Sequence, residues 1–128
     1  IAGPCVIESR EMALDLAKRL TALSKKLKVP YYPTATIGWD CTARGTVTEP
    51  WGFGPYPWTG VITGTCPKNF KRTLERLKRD AEKNKTDMIL INSWNEWTEG
   101  SVLEPEEEYG FGYLEAVRDV FGVKGKTK

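Results

Sequence analysis

Met88-Ile89-Leu90-Ile91 is an unbroken apolar run that stops at Asn92, and residues 88–105 read MILINSWNEWTEGSVLEP. A short continuous apolar run with β-branched residues is the pattern of a strand covered on both faces, as in a parallel sheet flanked by helices. This constrains the fold more than any other feature, because parallel strands need long crossover connections, usually helices. The chain supplies them on both sides. Upstream, Pro67 suits a first helical turn, and Phe70, Leu74, Leu77 and Ala81 form one helical face running to Asn84. Downstream, Glu106 to Glu108 lead a helix with Phe111, Leu114, Val117 and Phe121 on one face, and Gly122 ends it.

The same alternation occupies the N-terminal part. Ile1 to Ser9 reads as a strand end and turn, with Ser9 a plausible N-cap and Glu11 in the first turn. Met12, Leu16, Leu20, Leu23 and Leu27 then fall at spacings of four, four, three and four, with Lys18, Arg19, Lys25 and Lys26 outside that stripe. Pro30 stops the helix. Val29 to Thr36 is the next strand, with Pro33 confined to its beginning or to an edge. Residues 45–65 form a long insertion rich in Gly, Pro and aromatics (Trp51, Phe53, Tyr56 and Trp58), in which Val61-Ile62-Thr63 is a candidate short strand. Loops of this kind in βα folds often wall a binding site.

Strand followed by helix, three times over, gives an α/β class with parallel strands. A closed (βα)8 barrel takes about 250 residues, and the chain has 128. The expected architecture is therefore a partial TIM-barrel-like (βα)3–4 unit forming a single α/β domain. A half-barrel with open sheet edges is expected to form a homodimer through them. The start, Ile1-Ala2-Gly3-Pro4-Cys5, resembles neither a signal peptide nor an initiator, so the N-terminus reads as trimmed.

Composition enters by exclusion. The chain contains no histidine, which removes Ser/His/Asp and Cys/His catalysis and the common zinc ligand sets. Net charge is +2, so overall electrostatics point to neither nucleic acid nor an anionic membrane. No apolar run approaches the roughly 20 residues of a membrane span. Cys5, Cys41 and Cys66 are odd in number and widely spaced, which favours reduced thiols. No spacing of ligand residues calls for a metal or other cofactor.

The chemistry gathers where the key strand ends. Polar and acidic groups at the C-terminal ends of parallel strands are where βα folds place their sites. Here Asn92, Asn95, Glu96 and Glu99 are interleaved with Trp94 and Trp97. Sugars present apolar faces that stack on rings and hydroxyls that bond to acids and amides, so an oligosaccharide is the expected ligand. A glycosidase needs one protonated and one ionised carboxyl roughly 5 to 10 Å apart, and a spacing of three in a tight loop, as between Glu96 and Glu99, can provide that separation. The alternative is a pair of solvated loop acids. Trp39, Asp40 and Arg44 follow the neighbouring strand on the same face, where they either join the site or form a buried Asp–Arg pair. Trp94 and Trp97 are sugar platforms, unless one packs into the sheet wall. Asn95 is a candidate for sugar hydroxyls, and Asn92 for capping the loop backbone.

Two resemblances follow from these motifs. Residues 1–30, which begin IAGPCVIES, resemble the first βα unit of 3-deoxy-D-manno-octulosonate 8-phosphate synthase. Residues 32–122, with PTATIGWDCTAR, PKNF, ILINSWNEWTEGSVLEP and YGFGYLEA, resemble the closing units of WbsX-like, glycoside hydrolase family 99-like (βα)8 proteins. The second resemblance implies that Glu99 matches the general acid/base and Glu96 the carboxylate that assists through the sugar 2-hydroxyl. The first implies a metal-ligand role for Cys5 only where a histidine and later strands complete the set. The chain lacks that histidine, so Cys5 is expected to be a small buried residue. The chain accordingly divides into a synthase-like unit (1–30), glycosidase-like units (31–122) and a basic tail (123–128). The expected function is that of a glycan-active, glycoside hydrolase-like barrel fragment with little or no turnover. The alternative is an engineered or recombined structural chimera with no evolved activity.

Overall fold

Two helices, Pro67–Asn84 and Gly112–Phe121, pack against each other and on two short parallel strands, and everything that bears on the site hangs from that core. The computed structural model describes residues 10–45, 56–58 and 60–122. The N-terminal strand expected over Ile1 to Ser9, with Cys5 and the Ser9 cap, lies outside the described residues, as do Trp51, Phe53 and the basic tail.

In order, the elements are α1 (Arg10–Leu27), β1 (Thr34–Thr36), α2 (Pro67–Asn84), β2 (Leu90–Asn92), β3 (Asn95–Glu96), β4 (Ser101–Val102) and α3 (Gly112–Phe121). Strands β1 and β2 pair in parallel, with Thr34 opposite Leu90, Ala35 opposite Ile91 and Thr36 opposite Asn92. Pro33 stands just ahead of β1, where no N–H is needed, and its carbonyl accepts the Leu90 N–H at 2.9 Å. Helix α2 forms as its pattern predicts. Pro67 opens it, Phe70, Leu74 and Ala81 are buried, and Lys85 closes it in the left-handed region at φ 54°. The Thr86 N–H returns to the Ala81 carbonyl at 2.8 Å, which satisfies an otherwise orphaned acceptor.

The core comprises Ala35, Ile37, Phe70, Leu74, Tyr113, Ala116 and Val120, with Leu77, Ile91, Leu103 and Val117 packed against it. Phe70 meets Tyr113 edge to face, ring centroids 5.7 Å apart and planes at 71°. Such a contact adds about 0.5–1.5 kcal/mol beyond its buried area.

Four expectations change. The apolar run does not make a strand covered on both faces: pairing begins only at Leu90, and Met88 and Leu90 are 46% and 43% exposed. Helices cover one side of this small sheet, so alternate residues of β2 face outward, while Ile91 turns to the core. Val61-Ile62-Thr63 is not a strand; the Ile62 N–H donates to the Trp39 carbonyl at 2.9 Å, three residues beyond β1. On α3 the buried residues are Tyr113, Ala116 and Val120; of the predicted face, Val117 packs half-buried against the core and Leu114 is half-buried, whereas Phe111 and Phe121 are exposed. The helix begins at Gly112, which leaves Phe111 outside it and 65% exposed, and Phe121 ends it beneath the Lys78 ammonium, 5.5 Å from the ring centroid. Along α1, Leu16 and Leu20 are half-buried, but Leu23 and Leu27 are 48% and 58% exposed, because the described chain offers that end of the stripe little to pack on.

Between α2 and α3 runs one well-made surface pair, Lys71 Nζ to Asp119 Oδ2 at 2.7 Å. Its hydrogen bond holds the Asp119 carboxyl below the ordinary carboxylate range and the Lys71 ammonium above its own. Both side chains are open to solvent, so the contribution is small. A depressed carboxyl stabilises the fold above the ordinary carboxylate pKa and loses that as pH falls through its folded value. A raised ammonium stabilises below the ordinary lysine pKa and loses that as pH rises through its folded value. Urea unfolding across an acid pH series is therefore expected to show a shallower acid loss in Asp119→Asn than in the parent; superimposable profiles would refute the assignment.

Candidate functional site

At the C-terminal end of the parallel pair, β2 runs directly into a small hairpin. Strands β3 and β4 pair antiparallel, with Asn95 opposite Val102 and Glu96 opposite Ser101. Between them Trp97–Glu99 makes one 3₁₀ turn, closed by Gly100 at φ 58° with its N–H on the Trp97 carbonyl at 3.2 Å. Asn92 anchors the hairpin. Its carbonyl accepts the Ile37 N–H at 3.0 Å and the Ser101 hydroxyl at 2.8 Å, and its amide donates to Ser101 Oγ at 3.2 Å. Ser101 is fully buried and fully satisfied, so Asn92 is a structural group, as the sequence favoured.

The neighbouring strand end meets this hairpin backbone to backbone. The Asp40 N–H donates to the Glu99 carbonyl at 2.8 Å. The approach is close enough that a Cβ built on Gly38 would lie 2.4 Å from the Gly100 carbonyl oxygen. Asp40 Oδ1 accepts the Thr42 N–H at 2.9 Å and so holds the start of a second 3₁₀ turn, Thr42–Arg44. Arg44, at the end of that turn, reaches back over the hairpin.

Its guanidinium joins the two glutamates. Arg44 Nη2 lies 3.5 Å from Glu99 Oε1 and 3.9 Å from Glu96 Oε2. With both oxygens beside one nitrogen, at 3.5 and 3.9 Å, the two carboxylates are held close together over the same guanidinium. Tyr56 completes the cluster: its hydroxyl donates to Glu99 Oε1 at 3.1 Å, and the Arg44 guanidinium carbon lies 5.8 Å from its ring centroid. Lost hydration first, then the bond to Glu99, hold the Tyr56 phenol above its ordinary pKa, so it remains a donor at neutral pH. The two carboxylates differ in environment. The Glu99 side chain is 21% exposed and hydrogen-bonded; that of Glu96 is 50% exposed, and Arg44 is its one ion-pair partner among the described residues.

Trp94 and Trp97 are 52% and 53% exposed, so neither packs into a sheet wall. Trp97 Nε1 donates to Glu104 Oε2 at 2.9 Å, which fixes the indole beside the acids. The backbone of Trp94 is held by the N–H groups of Leu103 and Glu104.

Of the residues selected from sequence, Glu96, Glu99 and Arg44 come together. Asn95, Trp94 and Trp97 lie on the same hairpin with exposed side chains. Asp40 supports the turn that carries Arg44; among the described residues Arg44 pairs with the glutamates, not Asp40. Trp39 is half-buried beside the strand end. Tyr56 was missed as a site residue, and only its place in the aromatic insertion hinted at it. Among the described residues no cluster of three or more metal-binding side chains occurs.

An acidic pair bridged by a guanidinium, set on a hairpin that carries exposed indoles at a parallel strand end, is the site that this α/β fold builds. The chain belongs to the family described as glycosyltransferase WbsX, whose pattern matches residues 6–117. The uncharacterized protein WxcX of Xanthomonas campestris pv. campestris is 30% identical over 116 residues, covering 88% of this chain and 14% of that protein. Separate, shorter matches are to 2-dehydro-3-deoxyphosphooctonate aldolases. That of Bordetella petrii is 58% identical over 31 residues, 24% of this chain and 11% of the relative. That of Nitrosococcus oceani is 55% identical over 62 residues, 48% of this chain and 21% of the relative. The chain thus spans a small part of each of these relatives. Segments like two families stand in one sequence, and no solved structure matches it.

Proposed function

We propose that the hairpin between Asn95 and Val102 is the acidic wall of a saccharide site of glycoside hydrolase type. The carrying observation is the asymmetry of the carboxylates around Arg44: one enclosed and hydrogen-bonded, the other open. Two carboxyls given different roles by different surroundings is how glycoside chemistry divides acid from helper. Glu99 is the acid/base. Its Oε1 is occupied by Tyr56 and Arg44, which leaves Oε2 to carry the proton to the glycosidic oxygen. Glu96 takes the sugar 2-hydroxyl. Arg44 offsets the repulsion between the two acids, and Trp94 and Trp97 stack on sugar faces, with Trp39 and Asn95 at the margin. The family description names glycosyl transfer, which like hydrolysis breaks the bond from the anomeric carbon to a leaving group, but passes the glycosyl group to an acceptor hydroxyl instead of water.

The surrounding architecture in this reading is barrel-like. Leu90 on β2 and Met88 just ahead of it are left uncovered, and a second copy meeting the open sheet edges would shield them. Few strand ends surround the glutamates, so binding is expected to exceed turnover. The test is tryptophan fluorescence during titration with mannose- and glucose-type oligosaccharides, with oligomeric state fixed beforehand by light scattering. A saturable change in the parent, absent in Glu96→Gln/Glu99→Gln, is the expected result. No response in either protein would refute it.

That failure would favour the other reading, a recombined chimera in which the hairpin is retained without activity. Its support is the presence of aldolase-like and WbsX-like segments in one chain.

A further inference from the structure

The near-neutral total charge conceals a segregation. Along α2, Lys68, Arg72, Arg76, Arg79 and Lys83 follow one another at spacings of four, four, three and four. That is the periodicity of a single helical face, here made entirely of cations. All five are exposed, and the face lies opposite Phe70, Leu74 and Ala81, which bury the other side of the same helix. The ion pairs formed by basic residues among the described residues involve Arg19, Arg44, Lys71 and Arg118, none of the five. Glu75, Asp80 and Glu82 stand at i+3 or i+4 from Arg72, Arg76 and Arg79, at the two edges of the stripe, yet none of them forms an ion pair with these cations among the described residues.

Three arginines give the stripe a defined receptor. Arg72, Arg76 and Arg79 line a shallow concavity of about 430 Å3 together with Asn69, Thr73 and one carboxylate, Glu75. The Asn69 amide is committed to the Gly64 carbonyl at 2.8 Å and the Thr73 hydroxyl to the Asn69 carbonyl at 3.2 Å, so the guanidiniums supply the donors. Arginine's planar fork matches phosphate oxygens.

We infer that this face of α2 docks on the phosphate headgroups of an anionic membrane. The stripe is straight and about 22 Å long at about 1.5 Å per residue, which suits a plane. No aromatic residue interrupts it, so it lacks the stacking platforms of a single-strand nucleic-acid site. The flanking carboxylates would oppose a polyanion that wraps round the helix, whereas a flat surface meets only the crest. No large apolar side chain lies among the five, so attachment is electrostatic and reversible. Among the described residues no helix is long and apolar enough to cross a membrane, and the contact is peripheral.

The experiment is co-sedimentation of the full chain with phosphatidylcholine vesicles, with and without a third of phosphatidylglycerol, at low and high salt. Binding is expected only to the anionic vesicles and is expected to be lost at high salt. Each cation near the surface adds about fivefold, so Arg72→Gln/Arg76→Gln/Arg79→Gln should weaken partitioning roughly a hundredfold. A charge-matched control, Lys25→Gln/Lys26→Gln/Lys28→Gln on and after α1, should retain it, and far-ultraviolet circular dichroism should show both variants folded. Equal loss in the two variants would reduce the effect to bulk charge and overturn the assignment. So would absence of binding to anionic vesicles, or arginine-dependent binding to a duplex oligonucleotide without vesicle binding.

Discussion

Leu74→Ala is expected to lower the unfolding free energy by about 3 kcal/mol, the size typical of deleting a fully enclosed leucine. Leu74 has no solvent exposure and packs in the core shared by α2, α3 and the strand pair. Truncation removes apolar contact area and leaves a hole that helices pinned at both ends fill poorly. Domains of this size are held by about 5–15 kcal/mol in all, so the loss is a large share. In urea, with a slope of about 1.5 kcal/mol per molar, the midpoint should fall by about 2 M. Leu74→Met, which conserves volume, should cost less than about 1.5 kcal/mol. A fall below about 1 kcal/mol in Leu74→Ala would mean that the core collapses onto the gap and that α2 and α3 are not rigidly seated.

Gly38→Ala should be nearly as damaging to stability and more damaging to the site. A Cβ there would stand 2.4 Å from the Gly100 carbonyl oxygen, a backbone atom that cannot rotate away. Relief requires the hairpin to move off the end of β1. That motion breaks the Asp40 N–H bond to the Glu99 carbonyl and separates Arg44 from both glutamates. Gly100→Ala attacks the same junction from the other side. Gly100 is at φ +58°, which costs an L-residue roughly 1–2 kcal/mol, and a Cβ on it would lie 3.0 Å from Asp40 Cβ. Both variants should show altered tryptophan emission from the exposed indoles and no saccharide-dependent change. Parent-like emission and urea midpoint in Gly38→Ala would show that the two strand ends are not in close register.

How much of this was legible depended on whether the signal was local. Helix α2 was readable because Pro67, the stripe from Phe70 to Ala81 and the polar turn after Asn84 all agree. Helix α3 was readable at its C-terminal end, but not in where it begins and only partly in its face. Phe111 and Phe121 are its most apolar residues, yet they sit at its two boundaries, while Tyr113, Ala116 and Val120 fill the space that Phe70 and Leu74 leave. Which face is buried is set by the partner's shape, and a single sequence does not contain that shape. The run Met88 to Ile91 signalled a strand correctly but overstated its burial, because coverage on the second face depends on elements far away in the chain.

The sequence by itself determined the alternation of strands and helices, the absence of histidine chemistry, and the acidic, indole-bearing segment at one strand end. Its motifs also placed it within the WbsX family. Those are properties of residue type and short-range spacing. Only the tertiary structure decided that Arg44 serves the two glutamates while Asp40 serves the backbone turn beneath it, and that Tyr56, 43 positions before Glu99 in the chain, donates to it. Charged and hydroxyl side chains carry no periodic signature of their partners. Their pairing is fixed by how closely two backbones approach, and here the glycines at 38 and 100 set that approach.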